Sequence, residues 1–376
     1  MKISFSKHFF RFVALVCLVA VPISAARAQT AADFRGWGME ALNRIETDFA
    51  LPSRHLYADV ITPGQPAPNR PAFMWGCGVE LSALVAATKA DSKTWAPRLK
   101  IYFNGLEVYW QNAKGTTGYN VLPMPSPPDR YYDDNEWIAI ALCDAYTLTK
   151  EKAYIARAEA VMQFVLSAED DKFGGGVYWK EERKSKNTCS NGPAVVGALR
   201  LYQATGKRAY YDAALRIYRW TNAHLQDEDS LYFDNINAGG NVEKTKWTYN
   251  TALMLRANCL LYAETRNRMY LTEAQRIAKA AEAHWIRADT GAIADGGLFA
   301  HLLCEAFLAL YQTDRDAHWR DMTKKALQFV HVNVRDASGY YGDQWGKPNE
   351  QPLSQAKLIQ QASAARAFLV YANGGP

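Results

Sequence analysis

Four times in this chain an apolar helix ends in an aromatic residue, passes through a threonine-bearing turn, and reopens as a helix with another aromatic. The units run from Ala145-Tyr146 through Thr149 to Tyr154, and from Leu201-Tyr202 through Thr205 to Tyr210. The others run from Leu261-Tyr262 through Thr265 to Tyr270, and from Leu310-Tyr311 through Thr313 to Trp319. In each the two aromatics stand eight residues apart, and the units recur at intervals of 56, 60 and 49 residues. Ala87-Thr88-Lys89 to Trp95 is a looser, earlier copy. A helix-turn-helix unit of this size cannot bury its apolar face alone, so repeats of it stack into a helical array with a shared core.

Apolar positions recurring with a 3.6-residue period predict about twelve helices. Their expected spans are 33–49, 73–90, 94–110, 133–149, 151–167, 188–205, 208–224, 248–264, 270–286, 297–312, 316–333 and 354–372. Short turns alternate with longer glycine- and aromatic-rich loops such as 172–180 and 338–346. That alternation suits an all-α fold of six hairpins closed into an (α/α)6 barrel, with the long loops gathered at one end. An open solenoid has the same period, and spacing alone does not choose between them. Either arrangement explains how one domain, 29–376, exceeds the usual size of a single core without a linker.

The first 28 residues read as an export signal. Lys2, Lys7 and Arg11 precede an apolar run from Phe12 to Ile23, and Ala26-Arg27-Ala28 has the small-x-small pattern of a cleavage site. The run is short for a membrane span, and no Cys follows the cut to carry a lipid. The expectation is a periplasmic or secreted protein, without membrane insertion and monomeric. Of 43 Lys and Arg against 38 Asp and Glu, four basic residues lie in the signal, which leaves 39 against 38. A nearly neutral chain without a basic run has no electrostatic footprint for nucleic acid.

Five cysteines follow the signal, none in a CxxC pair, and no HExxH motif occurs, so neither a metal nor another cofactor is expected. Cys143, Cys259 and Cys304 lie in apolar helices and are expected to be reduced and buried. Asp227-Glu228-Asp229 has the look of a cation loop, but acidic triplets more often form solvated turns.

Chemistry points to Tyr131-Tyr132-Asp133-Asp134-Asn135-Glu136-Trp137, where a proline-rich loop enters a helix. Adjacent carboxylates walled by aromatics suit glycosidic-bond cleavage, in which one acid protonates the leaving oxygen and a second group attacks or stabilises the sugar cation. Taken alone, the pair is equally what a helix start prefers, since Asp is a good cap and Asp133 and Glu136 have capping-box spacing. Other helix starts gather polar and aromatic groups: Asn187-Thr188, Trp247-Thr248-Tyr249-Asn250 and Asp295-Gly296-Gly297. Trp137 is read as core.

The segment from Tyr131 to Lys150 resembles the signature of glycoside hydrolase family 76, the bacterial endo-α-1,6-mannanases. The similarity continues through Gly174-Gly175-Gly176-Val177-Tyr178-Trp179, Lys186 to Ala194, Leu199 to Thr221, Lys246 to Asn250 and Gln361 to Ala364. The resemblance implies an (α/α)6 barrel and retaining cleavage of α-1,6-mannosidic bonds in mannan or manno-oligosaccharides. It assigns Asp133 as nucleophile and Asp134 as general acid/base. Successive residues of a helix diverge by about 100°, so both carboxyls can reach one bond, near the ~5.5 Å of retaining pairs. Trp75, Tyr132, Asn135, Asn187, Asn191, Tyr249, Asn250 and Phe299 are expected to shape the sugar subsites. Thr251-Ala252 and the stretch from Leu298 to His301 depart from the family pattern, which bears on linkage and chain-length preference. A transglycosylase remodelling cell-wall mannosides and a sugar-binding relative without turnover are the alternatives, and the intact aspartate pair speaks against the second.

Overall fold

The computed structural model describes Met1 and residues 29–376; the expected signal segment, apart from Met1, lies outside the described residues. Twelve α-helices follow one another: α1 (Ala31–Arg44), α2 (Met74–Ala90), α3 (Ser92–Gly105), α4 (Tyr132–Thr149), α5 (Lys152–Leu166) and α6 (Thr188–Thr205). The second half comprises α7 (Arg208–Leu225), α8 (Thr248–Thr265), α9 (Arg268–Trp285), α10 (Gly297–Asp314), α11 (Ala317–Phe329) and α12 (Leu358–Ala372).

The repeated aromatic-threonine unit is a turn device. After Tyr146, Tyr202, Tyr262 and Tyr311 the chain reaches a left-handed residue, Lys150, Gly206, Arg266 or Arg315. The N–H of that residue donates to the tyrosine carbonyl at 2.7–2.9 Å, which caps the helix end. Thr149, Thr205 and Thr265 donate their hydroxyls to the carbonyl four residues back and accept the N–H two residues ahead. One small side chain thus closes one helix and starts the next within two residues.

Tertiary packing then separates two kinds of helix. α2, α4, α6, α8, α10 and α12 pack side by side in that order, and α12 packs back on α2. Outside them lie α3 on α2, α5 on α4, α7 on α6, α9 on α8 and α11 on α10; the sixth pair, α1 on α12, joins the two ends of the chain. The ring is closed, so the chain is an (α/α)6 barrel and the open solenoid is ruled out. Burial follows position: α8 buries thirteen of its eighteen residues, whereas α9 buries six of eighteen along one stripe. Inner helices approach closely at Gly78 and Gly192, where an added Cβ would stand 2.9 Å from the Cβ of Trp137 and of Leu253. Trp137 is therefore core, as expected.

Inside the ring, Arg256 of α8 and Arg366 of α12 both hold Glu305 of α10, the first at 2.6 Å and the second at 2.5 Å. All three are buried. The five described cysteines are free and buried, Cys143, Cys259 and Cys304 among them.

All long connections lie at the end of the barrel where the inner helices begin. Small antiparallel ladders stiffen them: Trp110–Ala113 with Thr116–Tyr119, and Ser185–Asn187 with Asn235–Asn237. Val60–Ile61 pairs with Ala356–Lys357, so the loops before α2 and α12 also close the ring. That pairing explains why α12 begins at Leu358 rather than at 354. α3 likewise stops at Gly105, short of 110, because the chain tightens into a 3₁₀ turn, Leu106–Tyr109, and leaves as a strand. The acidic triplet is a turn: Lys246 bridges Asp227 and Asp229 at 2.5 and 2.6 Å.

Candidate active site

The N-terminus of α4 carries the two aspartates, but they do not cap it. Tyr131 is the cap residue, in extended conformation, and its side chain makes no capping bond. Asp133 and Asp134 are the second and third helical residues; the Asp133 carboxyl meets backbone N–H groups of this first turn as well as Cys189 of the neighbouring inner helix α6. The loop before α6 is fastened over this start, since Tyr132 N–H donates to Trp179 O at 2.9 Å.

Asp133 Oδ2 accepts two hydrogen bonds, from Trp179 Nε1 at 3.0 Å and from the thiol of Cys189 at 3.4 Å. Its Oδ1 is buried and has no hydrogen-bond partner. Burial pushes the Asp133 carboxyl up to about 6, against the lowering effect of those two donors and of the backbone N–H groups of Asp134 and Asp133. Asp134 is pushed far higher, first by burial, then by the charge of Asp133 and of Asp129. No cation forms an ion pair with either carboxyl among the described residues. One environment holds a carboxylate by neutral donors and the other holds a carboxylic acid.

The other inner-helix starts complete the cleft. Cys189, second residue of α6, lies between Asp133 and Tyr249, the second residue of α8. The Tyr249 ring stacks on Phe299 of α10 at 4.4 Å, and Phe299 stacks on Trp75 of α2 at 5.6 Å. Trp247 flanks the same phenyl ring at 5.2 Å. Trp75, Tyr249 and Phe299, expected to be site residues, therefore form one aromatic group reached from Asp133 through Cys189. Asn250 lies beside them, its amide on Asp234 Oδ1 at 3.4 Å and its own Oδ1 buried without a partner. Asp295 fastens the start of α8, accepting from Thr248 N and Oγ1 at 2.9 and 2.8 Å.

Comparison with known proteins is decisive at this point: residues 53–372 match glycosyl hydrolase family 76. The chain belongs to that family. It is a glycoside hydrolase. A solved GH76 α-mannanase of Bacteroides thetaiotaomicron is 32% identical, with 91% of this chain and 96% of that one covered and a TM-score of 0.86. An inactive variant of an α-1,6-mannanase of Salegentibacter sp., with two consecutive aspartates changed, was solved with α-1,6-mannotriose. It is 24% identical, covers 91% of this chain and 99% of that one, and shares the fold with a TM-score of 0.76. A mannan endo-1,6-α-mannosidase of Candida glabrata is 30% identical over 153 residues, 38% of this chain and 30% of that protein. The curated relatives are thus matched over about half their length or less.

Four residues expected to bind sugar, Asn135, Asn191, Tyr132 and Asn187, are buried and have partners within the protein. Asn135 is fully buried; its Oδ1 accepts Tyr119 N at 2.7 Å and its Nδ2 donates to Tyr119 O and Tyr131 O at 2.9 and 2.8 Å. Asn191 does the same to Val177 N, Val177 O and Asn187 O at 2.7, 2.9 and 2.7 Å. Gln361 repeats the pattern on Tyr341 and Lys357. Each stands fourth in its inner helix, where a buried carboxamide with both N–H donors engaged clamps a long loop. Tyr132 is buried too, its ring against Phe164 of α5 at 4.8 Å, on the outer side of α4. Asn187 is buried at the start of α6 and accepts from Ser185 Oγ at 2.6 Å.

Three residues of the site were not singled out by sequence. Trp179 belongs to the glycine- and aromatic-rich loop, a type of segment that carries binding groups. Cys189 directly follows the Asn187-Thr188 helix start. Asp234, half-buried with its carboxyl pushed up by burial, comes from a loop without any motif.

Proposed function

We propose that the enzyme is a retaining hydrolase of α-1,6-mannosidic bonds in mannan or manno-oligosaccharides, with Asp133 as nucleophile and Asp134 as general acid/base. The unequal environment of the two adjacent carboxyls carries this reading. Asp134 gives its proton to the glycosidic oxygen as the Asp133 carboxylate attacks the anomeric carbon and the leaving sugar departs. The resulting glycosyl ester stays against Trp179 and Cys189. Asp134, now ionised, takes a proton from water, which attacks the same carbon from the vacated side and releases Asp133. Two inversions return the α-configuration. The aromatic group of Trp75, Tyr249 and Phe299 offers rings to the apolar face of a pyranose.

The choice of mannan rests on likeness to the Bacteroides α-mannanase and the fungal endo-1,6-α-mannosidases. The basic, apolar, small-residue start of the chain supports export to the periplasm or medium, where polysaccharide is met.

Asp133→Ala is expected to abolish turnover of every substrate. Asp134→Ala is expected to lose mannan cleavage but to retain the first step on an α-mannoside with an acidic phenol leaving group, and azide is expected to yield an α-mannosyl azide. Two variants that fold and cleave linear α-1,6-mannan at near wild-type rates would refute the mechanism.

A further inference from the structure

Among the described residues the Asp133 carboxyl has no cationic partner. The titratable groups that face it add negative charge or none: Asp134 and Glu136 from its own helix, Cys189 from α6, and Tyr249 from α8. Asp234 on the loop before α8 faces Cys189 and Tyr249, and Asp129 faces Asp134. What holds the carboxylate is a set of neutral donors: backbone N–H groups at the start of α4, the indole N–H of Trp179, and the Cys189 thiol. The indole and the thiol converge on one oxygen, Oδ2, from opposite elements, the 172–187 loop and the first turn of α6. That convergence fixes the plane of the carboxyl, whose other oxygen, Oδ1, is buried and accepts no hydrogen bond.

We propose that Cys189 is a positioning residue for the nucleophile: its S–H holds Asp133 Oδ2, fixes the plane in which the carboxyl meets the anomeric carbon, and stabilises the carboxylate each time the glycosyl ester breaks. The proposal rests on Asp133 being the nucleophile. The thiol suits the task because it stays protonated: burial first, then the charges of Asp133 and Asp234, hold it well above its ordinary range. A neutral, weakly polar donor fits this buried position at low desolvation cost. A lysine or arginine here would drive the carboxyl so low that its nucleophilicity fell, whereas no donor at all would leave it protonated at neutral pH. With neutral donors the carboxyl lies between these extremes.

The test is the pH dependence of kcat/KM on an activated α-mannoside for the wild type, Cys189→Ala and Cys189→Ser. Loss of a donor to the charged form raises the nucleophile, so in Cys189→Ala the acidic limb is expected to move upward by about half a unit or more. Cys189→Ser keeps a donor, and its limb is expected between the alanine variant and the wild type. Trp179→Phe, which removes the other donor to Oδ2, is expected to move the limb in the same direction and serves if the cysteine variants do not fold. Trapping the glycosyl-enzyme adds a second readout: Cys189→Ala makes the carboxylate a poorer leaving group, so the intermediate is expected to accumulate more than in the wild type. An unmoved limb and unchanged accumulation in folded Cys189→Ala, with Asp133→Ala inactive, would overturn the proposal while sparing the nucleophile. An active Asp133→Ala would remove its foundation instead.

Discussion

Replacement of Asn135 by Leu separates a sugar ligand from a structural clamp. The side chains have the same number of heavy atoms and the same branching, so the substitution removes three hydrogen bonds without opening a cavity. Tyr119 loses most. Asn120 N–H donates to Tyr109 O across the ladder, and alternation along an antiparallel pair turns the N–H and C=O of Tyr119 the other way, toward Asn135. Both groups are buried. Tyr131 O, as the carbonyl of the helix cap, keeps its bond within α4. Two stranded backbone groups at about 1–3 kcal/mol each, partly offset by the apolar side chain, give a loss of about 3 kcal/mol. Unfolding entropy of about 2.1 cal/mol/K per residue over roughly 350 residues converts this to a fall in Tm of about 4 °C. The loop from Tyr119 to Tyr131 feeds directly into Asp133, so kcat is expected to fall as well, with KM for α-1,6-mannotriose little changed. Thermal melting and steady-state kinetics measure both. A variant that melts within about 1 °C of the wild type but needs tenfold more mannotriose would show that the carboxamide binds sugar and that the clamp reading is wrong.

Two further outcomes follow from buried charge. Glu305→Gln leaves Arg256 and Arg366 buried without their common partner and is expected to cost about 3–5 kcal/mol in urea denaturation. Burial raises the Glu305 carboxyl, but Arg256 and Arg366 outweigh it and hold it low. Its contribution is therefore present above the ordinary glutamate value of about 4.3 and is lost as pH falls through the lower folded value, so the gap between wild type and variant should close in acid. Glu80 is the opposite case: fully buried with both oxygens unpaired, it is raised well above the ordinary range by burial and then by Glu46. The proton it keeps stabilises the fold below about pH 4.3, and that contribution fades as pH rises through the folded value. Glu80→Gln should melt near the wild type at pH 4 and above it at pH 8, and the reverse order would refute the account.

Much of this architecture is written locally. A turn needs only a tyrosine carbonyl, a left-handed residue and a threonine hydroxyl within six positions, so the four hairpins at Thr149, Thr205, Thr265 and Thr313 show in the sequence itself. The aspartate pair is visible for the same reason, since two adjacent side chains and their helix start are contiguous. The character of a polar residue at a helix start is not local. An asparagine carboxamide can grip a sugar or a loop backbone with the same atoms, and only the loop folded over Asn135 and Asn191 decides which.

By itself the sequence determined the helices, their hairpin turns, the position of the two carboxyls and the family, because each depends on contacts within a few residues of the chain. Tertiary structure decided ring closure, through α12 on α2 and the pairing of Val60–Ile61 with Ala356–Lys357. It also decided how the Asp133 carboxyl is held, since Trp179 and Cys189 reach its Oδ2 from separate elements. A carboxyl's protonation depends on the dielectric and donors around it, and those are supplied by segments 46 and 56 residues away.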